Sequence, residues 1–476
     1  MRKTKIICTI GPASSDVNTI KKMIEAGMNV AIFNMSHASH DILENMVSAV
    51  KKAGQDKISL LIDTKGPEVR IGKFEKGSVS LSDGDSFRFY KNLELGNAEG
   101  VGVIYKKLID CVYAEENRGK GLKILLDDGK ISMEVISATE EYIECRVIKG
   151  GILSDSKSIN MPSFHIDMPY MSSSDREDIA FGLSLGVQFI AASFVRSQSD
   201  ILMLRDYVDS LGYESVSIIA KIENQQGVDN IDSIIEAADG IMVARGDLGV
   251  EIPFIRLPAL QKTMIEKCVR AGKIVVTATQ MLESMTQSPR PTRAEISDVA
   301  NAVFDGTSAV MLSGESAAGK YPVESTAALS AICEEAENNI KDLESAKVSF
   351  DDFVSDGSIR DTICIAAKKC AESVGAKAII AESQTGRVAK AIAHYRPSCP
   401  IIAVVTRDFV AKKLALNWGV TAVLGEEKSD SDEITRQAMD KALETGLVQK
   451  GDTVIVISSN KTTPTNETDT LNIRKI

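Results

Sequence analysis

Residues 217–227 read SIIAKIENQQG. Ile218, Ile219 and Ala220 have the apolar character of a buried strand, yet the run ends in Lys221 and Glu223. Side chains two apart on a strand share a face. An ammonium and a carboxylate therefore leave the sheet together at its C-terminal edge.

Runs of the same kind recur: TKIICTI (4–10), NVAIFNM (29–35), ISLLIDT (58–64), FIAASF (189–194), GIMVAR (240–245), KIVVTAT (273–279) and SAVMLSG (308–314). Amphipathic stretches such as NTIKKMIEAG (18–27) and LPALQKTMIEKCVRAG (257–272) separate most of them. Strand–helix alternation means parallel strands. Eight such units predict an α/β chain built on a (β/α)8 TIM barrel, with the site at the strand C-terminal ends. The alternation breaks at 70–152, where short alternating runs and Asp-Gly pairs at 83–84 and 128–129 predict hairpins and an inserted all-β lid domain, a small β-barrel. Past the polar stretch near 345, strands return as KAIIAES, PIIAVVT, TAVLG and DTVIVIS. The expected division is a barrel over 1–69 and 153–345, a lid over 70–152, and a doubly wound C-terminal α/β regulatory domain over 346–476.

The 476-residue chain carries 66 acidic and 55 basic residues, a net charge of −11, which argues against a general nucleic-acid or membrane surface. No apolar run is long enough for a membrane span, and the N-terminus reads as a first strand, not a signal peptide. Eight scattered cysteines without paired spacing fit reduced thiols in a cytoplasmic protein.

Several strand ends share the chemistry of the opening stretch. β-run two ends in Asn34 and Ser36 with His37, run three in Asp63, Thr64 and Lys65, and the sixth in Arg245, Gly246 and Asp247. The seventh ends in Thr279 and Gln280, the eighth in Ser313 and Glu315. Glu223 and Asp247 are hard oxygen ligands on adjacent strands, a donor set for Mg²⁺ or Mn²⁺. Lys221 beside them suits stabilisation of a negative reacting oxygen or phosphoryl group. Gly246 and Asp247 start a helical turn whose N–H groups favour a carboxylate or phosphate, and Thr279 could relay a proton. Asn34, Ser36, Asp63 and Thr64 fit equally a large monovalent cation such as K⁺ or hydrogen bonding between neighbouring strands.

TKIICTIGPAS, GMNVAIFNMSH, LIDTKGPEVR, IIAKIENQQGV, GIMVARGDLGVEIP, TATQMLESM and PTRAEISDVANAVFDGTSAVMLSGESAAGKYPVE, in this order, closely resemble the pyruvate kinase family. The resemblance implies phosphoryl transfer from phosphoenolpyruvate to ADP, giving pyruvate and ATP, by a homotetramer with Mg²⁺ and K⁺. It implies Mg²⁺ on Glu223 and Asp247, K⁺ on Asn34, Ser36, Asp63 and Thr64, and Lys221 against the transferring group. The substrate carboxylate would meet Thr279 and the N–H groups of Gly246 and Asp247. His37, Arg70 and Lys157 would contact nucleotide phosphates, with Arg70 also near the transferred group and Glu68 marking the K⁺-requiring subgroup.

Two departures stand out. Ile32 occupies the place of a phosphate-contacting arginine, which implies either slower turnover or another cation filling the gap. In the C-terminal domain, Ser383, Thr385, Gly386 and Arg387 resemble an effector-phosphate loop, yet Val388 replaces a hydroxyl residue and SSNKTTPTNETDT replaces a glycine-rich closing loop. Two rival readings are a non-catalytic metabolite sensor and a Mg²⁺-dependent aldolase or lyase acting on pyruvate enolates.

Overall fold

A computed structural model describes residues 1–36, 38–55, 57–340, 357–428, 430–459 and 468–476. Eight strands form a closed barrel: β1 (Lys5–Thr9), β2 (Val30–Asn34), β3 (Ser59–Asp63), β4 (Phe189–Ala192), β5 (Ser217–Ile222), β6 (Gly240–Ala244), β7 (Ile274–Ala278) and β8 (Ala309–Leu312). Each pairs in parallel with its sequence neighbours, and β1 closes on β8 through Lys5–Ala309 to Cys8–Leu312.

The continuous apolar character of these strands reflects burial on both faces. In β5, Ile218, Ala220 and Ile222 pack outward against the helices. Ile219 points into the barrel with Ile7, Val30, Ile32, Leu61 and Met242. Alternation then turns Lys221 inward, one layer above Ile219. The barrel floor is plugged from outside: Leu416, fully buried, belongs to the same interior cluster.

Between β3 and β4 lies a six-stranded sheet in the order Ile159–Asn160, Lys123–Leu126, Ile131–Ala138, Tyr142–Lys149, Ser86–Tyr90, Gly100–Gly102. It differs from the sequence expectation in three respects. Lys107–Ala114 is a helix that buries Leu108, Ile109 and Val112, so the insert is not all-β. The sheet also runs past residue 152 to Asn160. Finally, the Asp-Gly pair at 128–129 closes an antiparallel hairpin, but the pair at 83–84 joins strands of different sheets. Turn chemistry is local and does not select a strand's partner.

The C-terminal domain has a mixed five-stranded sheet: Val420–Leu424, Ile401–Val405, Ala378–Glu382, Thr453–Ser459 and an antiparallel edge strand Thr468–Lys475. It meets the barrel floor through Gly419 N–H to Lys3 O (3.0 Å) and Lys5 Nζ to Val420 O (2.6 Å). Among the described residues, no helix is long and apolar enough to cross a membrane.

Candidate active site

The barrel mouth gathers the strand-end residues into one network. Lys221 Nζ lies 2.8 Å from Asp63 Oδ1, 2.9 Å from Ser193 Oγ and 3.1 Å from Glu223 Oε1. Lys221 and Glu223 thus share a face, as their spacing requires. The second Glu223 oxygen accepts from Phe194 N–H at 2.7 Å. Ser193 donates its hydroxyl to Asp63 Oδ1 (3.1 Å) and its N–H to Thr64 Oγ1 (3.1 Å). Gly66 has to be glycine here, since a Cβ would sit 2.7 Å from Ser193 O and the backbone adopts φ +69°.

Burial alone would lower the Lys221 pKa. Asp63 and Glu223 reverse that and hold the ammonium above the usual lysine range. Burial pushes Glu223 up to about 8, with Asp247 and Asp63 adding to the rise and Lys221 opposing it. Asp247 is also raised by burial, Lys221 again opposing and Asp128 adding, and its side chain interacts with that of Glu223. Two carboxylates forced together in this way, Glu223 buried and Asp247 half-buried, suit a hard divalent cation. Around Asp63 the donors are neutral oxygens: Asn34 stands opposite Asp63 in the strand register, its Oδ1 accepting from Ser36 N–H, with Thr64 next in the chain. That set carries a single formal charge and suits a monovalent cation.

The Thr279 side of the mouth is strained. Thr279 and Gln280 both have positive φ, 68° and 54°, a conformation costing on the order of 1–3 kcal/mol for each non-glycine residue. Buried Arg245 holds it: its guanidinium donates to Thr279 O at 3.1 and 2.7 Å and to Gln280 O at 3.0 Å, and Asp298 anchors it at 2.6 Å. The strained turn aims Thr279 Oγ1 at Gly246 N–H, 2.7 Å away. Replacing Arg245 with methionine is therefore expected to lower kcat about tenfold by releasing this turn. Conservative Arg245→Lys should recover part of the loss, and equal kcat in parent and methionine variant would refute the clamp.

The insert reaches the mouth from above. Asn160 Nδ2 donates to Glu251 Oε1 at 2.8 Å, and Asp128 bears electrostatically on Asp247. Arg70 pairs with Glu68 at 2.7 Å and donates to Ser156 O at 3.0 Å. Ile71 N–H donates to Lys157 O at 2.9 Å, and Lys157 pairs with Asp127 at 2.5 Å, so the arginine and lysine sit together. His37 lies outside the described residues.

Some strand ends have other work. Glu315 is fully buried, accepting N–H groups from Leu282 and Ser313 at 2.9 Å each, a structural cap. At the C-terminal loop, Ser383 Oγ is taken by Gly386 N–H (3.0 Å), while Thr385 and Arg387 are exposed. Most of SSNKTTPTNETDT lies outside the described residues. Ser193 and the Arg245 clamp were not anticipated. Its place two residues after inward-facing Ala191 puts Ser193 on the mouth-facing side, but a single serine there does not distinguish a ligand from a helix cap.

Family models for the pyruvate kinase barrel domain and the pyruvate kinase alpha/beta domain match residues 1–326 and 361–474. The chain is 44% identical to pyruvate kinase of Geobacillus stearothermophilus, over all of this chain and 80% of that one. It is 42% identical to the enzyme of Clostridium perfringens, over the full length of both. A crystal structure of a pyruvate kinase from Cryptosporidium parvum superposes with a TM-score of 0.90 at 36% identity, covering 100% of this chain and 96% of that one. These relatives favour neither a sensor nor an aldolase. With a barrel mouth of this composition and matches across both halves, the chain belongs to the pyruvate kinase family.

Proposed function

We infer that the chain transfers the phosphoryl group of phosphoenolpyruvate to ADP, yielding pyruvate and ATP. The observation that carries this reading is the ammonium of Lys221, held by Asp63, Ser193 and Glu223 at the barrel mouth. Phosphoryl transfer asks the protein mainly for positioning and charge neutralisation. Lys221 would face the group in flight. Arg70 and Lys157 would orient the nucleotide phosphates from the insert. Thr279 and the N–H groups of Gly246 and Asp247 would seat the substrate carboxylate, and water at Thr279 Oγ1 would protonate the enolate carbon.

Glu223 and Asp247 would hold Mg²⁺ or Mn²⁺, and Asn34, Ser36, Asp63 and Thr64 would hold K⁺. Bound there, the cations neutralise phosphoryl oxygens. A homotetramer is proposed as the assembly, supported by adjacent Phe254 and Ile255, each 76% exposed. A single-chain mass by light scattering would remove that reading. Thr385 and Arg387, exposed beside Ser383, remain a proposed effector-phosphate loop. Their alanine variants should lose any sugar-phosphate activation.

The test of the reaction is pyruvate formation from phosphoenolpyruvate and ADP, with and without K⁺. No pyruvate with Mg²⁺ and K⁺ present overturns the assignment. Ile32 is buried in the apolar interior layer, paired with Thr9 and Leu61. A slowing by Ile32 requires Ile32→Arg to raise turnover by on the order of 10² or more. An unchanged or lower rate discards it.

A further inference from the structure

The barrel floor, opposite the mouth, carries a second concentration of charge. The helix Arg387–His394 lies against it, and a cavity of about 30 Å³ opens where Lys390 and His394 face Gly272, Lys273 and Trp418. Lys273, Lys390, His394 and Arg396 line this cavity, with Asp361 acting on His394 and Glu337 on Arg396. Lys273 Nζ donates to the carbonyls of Ala238 (2.7 Å) and Glu236 (3.1 Å). Arg205 holds Asp239 at 2.6 Å, and the same Asp239 oxygen accepts from Ile218 N–H at 2.9 Å. Among the described residues, the ammonium groups of Lys390 and Lys413 have no salt bridge and no hydrogen bond.

Burying such groups without a counter-ion is costly. Burial pushes Lys413 down to about 8, with Lys390 and Arg205 lowering it further and Asp239 opposing. Lys390 is likewise lowered by burial, Asp239 opposing and Lys273 and Arg205 adding. A cluster of this kind is relieved by an anion carrying more than one charge. The cavity itself is about the size of a single water, so a phosphoryl head would sit at its opening and leave the rest of the ligand in the cleft.

We propose that the cleft between barrel floor and C-terminal domain binds a phosphate monoester, its phosphoryl head against Lys390 and Lys273, with Lys413 adding charge. Ligand there would tie the helix Arg387–His394 to the residue preceding β7, the strand that leads to Thr279. Lys390 lies one turn along the helix from Arg387, but neither Arg387 nor Thr385 lines the cavity, and both side chains are exposed to solvent.

The test is calorimetric titration and thermal melting of the full chain with inorganic phosphate, ribose 5-phosphate and AMP. The parent is compared with Lys390→Gln/Lys413→Gln and with Thr385→Ala/Arg387→Ala. At least one probe should bind the parent and raise its melting temperature. Affinity at this cleft should fall about tenfold for each ammonium removed, and the loop variant should keep that binding event even where it loses a second one at the proposed effector loop. The lysine variant should keep basal kcat, and its affinity for the probe reports any binding left at the barrel mouth. Inorganic phosphate binding as well as the esters makes the head group sufficient; a preference for ribose 5-phosphate or AMP adds contacts outside the cavity. The proposal is overturned if no probe binds, if the lysine variant binds as the parent does, or if the loop variant alone loses affinity.

Discussion

Lys221→Met should lower kcat by on the order of 10³, the scale expected when a preorganised charge facing a transferring phosphoryl group is removed. Methionine keeps the length and bulk of the lysine stem, so packing beneath the ammonium is preserved. What disappears is a positive charge 2.8 Å from Asp63 and 3.1 Å from Glu223. The variant therefore leaves two buried carboxylates facing each other without their cation, and its melting temperature should fall as well. Lys221→Arg separates the two effects. It returns the charge but replaces a compact ammonium with a planar fork that cannot reproduce the three contacts, so stability should recover more than turnover. Rapid-quench measurement of phosphoryl transfer checks the step itself. A methionine variant within about tenfold of the parent would sink the assignment of Lys221.

Why that residue was legible in the sequence, and others were not, has a physical explanation. Lys221 and Glu223 stand out because a strand this apolar has no reason to end in two charges on one face. The eight strands were equally plain, since burial on both faces leaves uninterrupted apolar runs. Ser193 sits at the same height in the barrel and bonds both Lys221 and Asp63, yet a lone serine after a strand is indistinguishable from a helix cap. Glu315 misled in the opposite direction: its carboxylate points at two backbone N–H groups, and composition cannot tell a cap from a ligand. Arg245 matters only because Thr279 and Gln280 adopt positive φ, a conformation that no residue type there announces. The helix Lys107–Ala114 has only 8 residues and the strand Thr468–Lys475 is paired on one side only, so both gain their stability from tertiary packing, which overrides weak local signals.

The carboxylate pair yields the second large effect, in which stability and activity move in opposite directions. Asp247 is half-buried beside Glu223, Asp63 and Asp128, and Lys221 is the cation that opposes them. Replacing it with asparagine removes one of several like charges while keeping size and a hydrogen-bonding oxygen. In metal-free protein Asp247→Asn should therefore raise the melting temperature by about 2 °C. Adding Mg²⁺ should stabilise the parent by mass action, through binding to the folded state only. The variant should need on the order of 10² more Mg²⁺ for the same rise, and its turnover at fixed Mg²⁺ should fall by a similar factor. The melting readout is independent of catalysis, so it tests the site even if the substrate assignment fails. A metal-free melting temperature below that of the parent, together with an unchanged response to Mg²⁺, would show that Asp247 is a structural acid satisfied by Lys221. The strain at the mouth would then lie elsewhere, in the Thr279–Gln280 turn held by Arg245.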